Sequence, residues 1–301
     1  MPNTHNPFEE EISPEVYLDT GNTFFTQGRY KEAIEAYDNA LQVNPNYAEA
    51  YNKRGIVKST IEQYFEAIED FDEAIELDLN YAEAHYNRGI AKGRLGHPKS
   101  AIEDFDKAIG LNPDYAEAYY NRGVAQGKMS EFTKALIDFD RAIQLNPNYA
   151  EAYYSRGSVK RDLGESFPAL TDFNKVIRLN PNHAEAYYSR GSLRGNLGHP
   201  KDSISDFDNA IRLNPDHSQA YYNRGLAHQS VGNLKRAISD FDKVINLRNN
   251  NARAYYNRGI NHKALGNTKE AKTDLEKALR LANQQRNSYL ANQISEGLEN
   301  L

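Results

Sequence analysis

Cysteine is absent from all 301 residues. That one absence excludes disulfides, thiolate metal sites, a cysteine nucleophile and lipid attachment through a thiol. Long apolar runs are missing as well, and nothing approaches the ~18 consecutive apolar residues that a bilayer span requires. No charge sign dominates: charged residues make up 26% of the chain and the net charge is -6. No long-range field therefore draws a polyanion, and nucleic acid is not the expected partner. The opening MPNTHNPFEEEIS is polar and acidic, without the apolar core of a secretory signal. The expectation is a soluble, cytoplasmic protein with no membrane insertion. Catalytic motifs are lacking too: there is no glycine-rich phosphate loop, nucleophile elbow or His-Glu-x-x-His. The eight histidines are scattered. His228 and His262 share one position of adjacent repeats, where helices lie ~10 Å apart, too far for one metal ion. No catalytic residue, metal ligand or cofactor is assigned, and an enzyme is not expected.

What the chain has instead is a period. AYYNRG at Ala118 returns as AYYSRG at Ala152 and Ala186, and as AYYNRG at Ala220 and Ala254. Weaker forms stand at Ala50 and Ala84, and the glycine alone at Gly21. The spacing is 34 residues throughout, without insertion or deletion. Eight units fill residues 14–285 (14–47, 48–81, 82–115, 116–149, 150–183, 184–217, 218–251 and 252–285). A flexible segment 1–13 precedes them and residues 286–301 follow.

Within the unit 116–149, the first half AEAYYNRGVAQGKMS has no proline and few β-branched residues, and reads as a helix. In the second half Ala135, Leu136, Phe139, Ala142 and Ile143 make one amphipathic stripe. Asn146-Pro147 ends it, because proline disfavours helical geometry in the residue before it. Each unit is thus a helical hairpin turning near the position of Ser130. Gly123 sits inside the first helix, where glycine costs about 1 kcal/mol relative to alanine. Its recurrence implies a close helix–helix approach, shared by the small Ala135 column. One such hairpin cannot bury its apolar face alone, whereas a stack can.

The mid-helix glycines, the columns Ala33–Ala67–Ala101–Ala135 and Phe105–Phe139–Phe173, and the Asn-Pro stops together resemble tetratricopeptide repeats. AYYNRG combined with EDFDKAI is similar to the idealised bacterial arrays of that family, cyanobacterial ones in particular. There are departures: tyrosine (Tyr51, Tyr119, Tyr153, Tyr187, Tyr221, Tyr255) or His85 stands where the family has tryptophan. The resemblance implies an all-α, right-handed α-solenoid, a superhelix of stacked helix-turn-helix hairpins whose first helices line a concave groove. It implies a non-enzymatic scaffold or adaptor for a protein or peptide partner, bound as an extended or helical segment. The family's clamp for a terminal carboxylate carries over poorly. Its lysine positions fall on Tyr86 and Glu151, its arginine on Ser155 and one asparagine on Ile90, leaving only Asn121 in place.

The first tyrosine of each pair is expected to pack between helices. The second comes about 100° further around the helix and is expected to turn toward the groove. The candidate peptide-binding residues are therefore Tyr86, Tyr120, Tyr154, Tyr188, Tyr222 and Tyr256, with Asn87, Asn121, Asn223 and Asn257, and with Ile90 and Val124 beside them. The alternative is a solvated tyrosine ladder stacking on itself. Tyrosine joins a large rigid contact area to one polar tip, which suits peptide recognition. Glutamates 83, 117, 151 and 185 edge the face and favour a basic or polar segment. Arg122 and Asp138 lie equidistant from the turn and are expected to pair within the hairpin, or else each arginine pairs with an aspartate of the neighbouring unit. Ser288 to Leu301 spaces Leu290, Ile294, Leu298 and Leu301 on one stripe, a capping helix over the last unit. The uncapped first unit, with Phe24 and Phe25, keeps open a second function: self-association by end-to-end stacking.

Overall fold

Asparagine and proline set the rhythm of the backbone. In a computed structural model, which describes residues 12–301, helix after helix stops where Asn-Pro stands. Asn146 is extended (φ -129°, ψ 93°) and its N–H still donates to the carbonyl of Ala142, closing the last turn. The sequence-expected flexible segment 1–13 lies outside the described residues except for its last two. Among the described residues there are 17 α-helices and no strands.

The chain divides into two compact units, Met1–Ala152 and Tyr153–Leu301. The first holds α1 (Pro14–Thr26) with α2 (Tyr30–Val43), α3 (Ala48–Thr60) with α4 (Tyr64–Leu77), α5 (Ala82–Arg94) with α6 (Pro98–Leu111), and α7 (Ala116–Lys128) with α8 (Phe132–Leu145). The second holds α9 (Ala150–Asp162, its first turn in the first unit) with α10 (Ser166–Leu179), α11 (Ala184–Asn196) with α12 (Pro200–Leu213), α13 (Ser218–Ser230) with α14 (Leu234–Leu247), α15 (Ala252–Ala264) with α16 (Thr268–Gln284), and α17 (Ser288–Glu299). Both are stacks of helical hairpins, and the fold is an all-α solenoid.

The expected stripe forms the core of each hairpin. Ala135, Phe139 and Ala142 are buried, and Leu136 and Ile143 flank them half-buried. Gly123 faces this stripe. A Cβ there would lie 2.8 Å from Phe139 Cε1 and 3.2 Å from the Ala135 carbonyl oxygen. The helices approach so closely that only hydrogen fits, and the phenylalanine ring fills the notch. Burying a ring of this size contributes about 1.5–3 kcal/mol. In the first hairpin Tyr37 replaces the phenylalanine and its hydroxyl donates to Asn22 Oδ1 at 2.8 Å.

The two arrangements left open for the arginines occur together. Arg122 Nε and Nη2 donate to the Asp138 carboxylate at 2.8 and 2.7 Å, while Nη1 reaches Asp106 of the preceding hairpin. Arg54 bridges Asp70 and Asp38, and Arg88 bridges Asp104 and Asp72. In the second unit Arg224 bridges Asp240 and Asp208, and Arg258 bridges Asp274 and Asp242. Arg190 differs: it holds Asp206, but its second partner is the neutral Asn174 Oδ1 at 2.7 Å. The side chain of Asp138 is only 3% exposed, against 54% for Asp106. The buried bond within the hairpin therefore carries most of the energy, since exposed pairs contribute about 0–1 kcal/mol. Some aspartates take a second cation one helical turn on. Lys58 binds Asp70, Lys92 binds Asp104, Lys160 binds Asp172 and Arg194 binds Asp206, at 2.7 to 3.0 Å. In α7 that position is the buried Gln126, and in α13 the buried His228.

At the C-terminal end α17 lies against α15 and α16. Its Leu290, Ala291 and Ile294 share one core with Leu275, Ala278 and Leu281, and Leu298 packs at the margin. In the first hairpin Phe24 and Phe25 are partly buried around Leu18 and Tyr37.

Candidate functional site: the first-helix face

The second tyrosine of each pair is anchored by aromatic stacking. The 100° step along the helix leaves it between the phenylalanine of its own hairpin and the turn into the next one, not out in water. Tyr86 is half-buried, its ring 5.9 Å from Phe105 and 4.7 Å from Tyr115. Tyr120 repeats this on Phe139 and Tyr149 at 6.0 and 4.9 Å. In the second unit Tyr154 rests on Phe173 and His183, Tyr188 on Phe207 and His217, and Tyr222 edge-on to Phe241. Tyr256 packs at the edge of the α15–α17 core. The first tyrosines are half-buried too, so the expected split into a core column and a groove column is not what the packing shows. Tyr119 lies beneath the guanidinium groups of Arg122 and Arg141, 5.4 and 5.8 Å from its ring centre.

Sequence reading missed the hydrogen bonds that tie one first helix to the next. Asn121 Nδ2 donates to the hydroxyl of Tyr86 at 3.0 Å. Asn223 donates to Tyr188 at 3.3 Å and Asn257 to Tyr222 at 2.9 Å. The Tyr154 hydroxyl lies 3.4 Å from Ser189 Oγ. Where the column has no tyrosine, Asn52 is fully buried, donates to Tyr81 and accepts from Asn87 Nδ2. The candidate tyrosines and asparagines are thus partners, spaced 35 residues apart. That spacing, one repeat plus one residue, is the signal from which the pairing could have been read.

Burial pushes the Tyr86 and Tyr81 phenols up to about 12, with the neighbouring glutamates Glu117 and Glu83 adding to it. Tyr115, Tyr149 and Tyr222 are shifted upward, again chiefly by burial. These phenols stay protonated and act as hydrogen-bonding tips, not as acids. The acidic edge is partly neutralised. Glu83 pairs with Lys53 at 3.4 Å, Glu185 lies 3.3 Å from His217 Nε2, and Glu117 and Glu151 are exposed.

Between successive first helices the face opens into clefts. One of about 310 Å³ lies between α5 and α7 and brings together Ile90, Tyr120, Asn121 and Val124 over a floor of Ala101 and Phe105. A neighbouring cleft of about 410 Å³ between α3 and α5 includes Asn87, Ile90 and Ile56. In the second unit a cleft of about 380 Å³ gathers Tyr188, Asn223 and Leu226. Tyr154, Tyr222, Tyr256 and Asn257 are engaged in the seams described above. Residues not singled out from the sequence also line these clefts, among them Arg94, Lys128 and Gly93 in the first unit and Ser203 in the second. Among the described residues no group of three or more His, Asp or Glu is placed to hold a metal ion, and no helix is long and apolar enough to cross a membrane.

Comparison with known proteins gives a consistent family. Profiles described as TPR repeat match residues 21–59, 61–96 and 99–130. Profiles described as tetratricopeptide repeat match 116–149, 150–183, 188–254 and 252–285. A search of the curated proteins finds no match. Among solved structures, MamA is 31% identical, with 57% of this chain and 94% of that one covered and a TM-score of 0.50. YrrB, described as a TPR protein with an unusual peptide-binding site, is 28% identical over 62% of this chain and 96% of its own, with a TM-score of 0.53. A tetratricopeptide repeat protein from Parabacteroides merdae, 20% identical, shares the fold over 82% of this chain and 98% of its own, with a TM-score of 0.59. With the repeating hairpin, the glycine–phenylalanine notch and matches running from residue 21 to residue 285, the chain belongs to the tetratricopeptide-repeat family of protein-interaction scaffolds.

Proposed function

We propose that the chain is a non-enzymatic scaffold that holds an extended or helical segment of a protein partner along its first-helix face. The observation that carries this is the set of clefts between first helices, each bringing aliphatic and aromatic side chains together with a few polar groups. Binding sites for side chains have that composition. Tyr120 and Tyr188 support the reading, since rings already fixed by stacking, and in Tyr188 by a hydroxyl hydrogen bond as well, lose little freedom when a ligand covers them. YrrB's description as a protein with a peptide-binding site is consistent with it. The eight units at 14–285 and the candidate residues of the Tyr86, Asn87 and Ile90 columns are part of this proposal.

The test is photo-crosslinking from defined positions of the full chain in a lysate of the source cells. A photoreactive residue at Val124 or Leu226 is expected to capture the same partner. One at Ile137, 64% exposed on the second helix, is expected to capture nothing above background. Capture from Ile137 and not from Val124 would overturn the groove reading. Crosslinks only to a second copy of this chain, together with a mass that rises with concentration, would establish end-to-end stacking in its place.

A further inference from the structure

The clefts of the two units occupy equivalent positions, three repeats apart, yet their chemistry differs. In the α5/α7 cleft the lining is Ile90, Val124, Arg94 and Lys128. At the same positions of the α11/α13 cleft stand Ser192, Leu226, Asn196 and Ser230, and the floor residue Ala101 becomes Ser203. Arg94 and Lys128 are exposed, and neither has an ion pair or hydrogen bond among the described residues. They are cations without a carboxylate, in a chain where the arginines of the AYYNRG column are spent on aspartates.

A second observation concerns glycine. Gly89 and Gly123 are required by packing, since a Cβ there would strike Phe105 or Phe139. Four residues further on, Gly93 has no such reason: a Cβ would meet only the Ala101 methyl, at 3.8 Å. At Gly127 it would meet nothing within 4 Å. A glycine inside a helix is unfavourable, and one that packing does not require leaves bare backbone for another chain to approach. Gly93 lies on the wall of the α5/α7 cleft, one residue from Arg94.

From this, and resting on the groove reading above, we infer that the first unit recognises an acidic–aliphatic segment, not the basic or polar one that the glutamate edge suggests. Glu83 is paired with Lys53, and among the described residues no carboxylate lines the α5/α7 cleft. An aliphatic side chain enters the Ala101–Phe105–Val124 pocket, and carboxylates three residues apart meet Arg94 and Lys128. Packed helices lie about 8–10 Å apart, so the two cations are offered at about that interval. A polyproline II segment has three residues per turn and rises about 3.1 Å per residue, which brings every third side chain to one face about 9.3 Å apart. Such a segment matches the helix spacing without bending. The one carboxylate at the neighbouring α3/α5 cleft, Glu62, sits on the turn at its far side and favours an uncharged end there.

The probes are three labelled twelve-residue peptides, (Pro-Leu-Glu)4, (Pro-Leu-Gln)4 and (Pro-Leu-Lys)4, titrated against the full chain by fluorescence anisotropy at low salt. The glutamate peptide is expected to bind at least ten-fold more tightly than the glutamine peptide. The lysine peptide should be weaker still, and the difference should shrink as salt rises. Arg94→Glu with Lys128→Glu, both on the surface, is expected to reverse the order of the glutamate and lysine peptides with helix content unchanged. Gly93→Gln should weaken all three. Glutamate binding that survives the charge reversal, or equal affinity for all three peptides, would overturn the inference while leaving the groove reading intact if Gly93→Gln still weakens them. Absence of binding by any of the peptides would also overturn it, while Val124 crosslinks to a cellular partner would still stand for the groove.

Discussion

The first and second units are built on the same hairpin, and in both the repeats differ in how the central aspartate is neutralised, the singly paired one facing glutamine in the first unit and histidine in the second. In the first unit Asp70 and Asp104 each hold an arginine and a lysine, whereas Asp138 has Arg122 and, one turn on, the uncharged Gln126. In the second unit Asp172 and Asp206 hold two cations, whereas Asp240 has Arg224 and the buried His228, whose Nδ1 has no hydrogen-bond partner among the described residues. Burial pushes the His228 pKa down, so the ring stays neutral at neutral pH. The repeats thus keep one ion pair constant and let the second vary. The pair recurs in the seven hairpins from α3/α4 to α15/α16 and is missing from the first, where Thr20 and Ala36 take its places, and the neighbouring position is free to tune how strongly each paired hairpin is held.

The largest test of that contrast is to remove the constant arginine from a singly and a doubly supported aspartate. Arg122→Met leaves the buried Asp138 without a cation, and a loss of about 3–5 kcal/mol is expected. Arg190→Met leaves Asp206 with Arg194 and should cost clearly less. Amide exchange across the affected hairpin is the measurement, because arrays of repeats unfold unit by unit. Equal losses at the two sites would remove the second cation from the account. Adding Asp138→Leu to Arg122→Met should recover much of the loss.

Second in size is the tyrosine pair. Tyr120→Ala removes a ring stacked on Phe139 and Tyr149 and is expected to cost about 2–4 kcal/mol. Tyr119→Ala, which removes a half-buried ring covered by two arginines and stacked on no other described ring, should cost less. Tyr86→Phe deletes only the hydroxyl that Asn121 donates to, for about 1 kcal/mol. Chemical denaturation of the variants orders the three. A Tyr119→Ala loss larger than that of Tyr120→Ala would restore the sequence-based order, with the first column as core.

Much of the fold could be read from the residues, because its determinants recur at a fixed interval. The glycine column, the Asn-Pro stops and the arginine–aspartate symmetry about the turn each correspond to a contact. Depth was harder to read. One residue along a helix gives direction around the axis, but which direction is covered depends on the next hairpin, and that is not local information. For this reason the stacking of the Tyr86 column in the seams is not legible in the sequence, although Tyr120 and Tyr188 also line clefts. Asn52, in the same column, is fully buried though polar. Arg94 and Lys128 went unremarked because an exposed cation near a helix end looks like any other; only the cleft beside it sets it apart.

Alkaline titration probes the same seam. The phenols of Tyr81 and Tyr86 are pushed up to about 12, chiefly by burial, so the folded state favours their protonated form. That stabilisation is complete below the unfolded value, pH ~10, and is lost as pH rises through the folded value. The unfolding midpoint is expected to fall between those limits, with phenolate absorbance appearing at higher pH than in the unfolded chain. Tyr86→Phe should flatten the fall in the first unit. Absorbance appearing at the unfolded position would show that the rings are not enclosed.

The smallest effect contrasts two glycines of one helix. Gly123→Ala forces a methyl against Phe139 and should destabilise. Gly127→Ala enters open space and should stabilise by about 0.4–1 kcal/mol. A loss at both positions, read by denaturation, would mean that Gly127 also serves packing.

The arginine that reaches two hairpins limits how the gene can change length. Removing residues 82–115 would bring Arg122 opposite Asp72 in place of Asp106, one aspartate for another, and every bond could re-form. Removing any number of residues that is not a whole repeat would leave guanidinium groups facing the wrong side chains. Removing residues 184–217 would set Arg224 opposite Asn174 in place of Asp208, trading a carboxylate for an amide. Whole repeats can therefore be lost or duplicated at little structural cost over most of the array, and the junction after Asn174 is where the copies are not interchangeable.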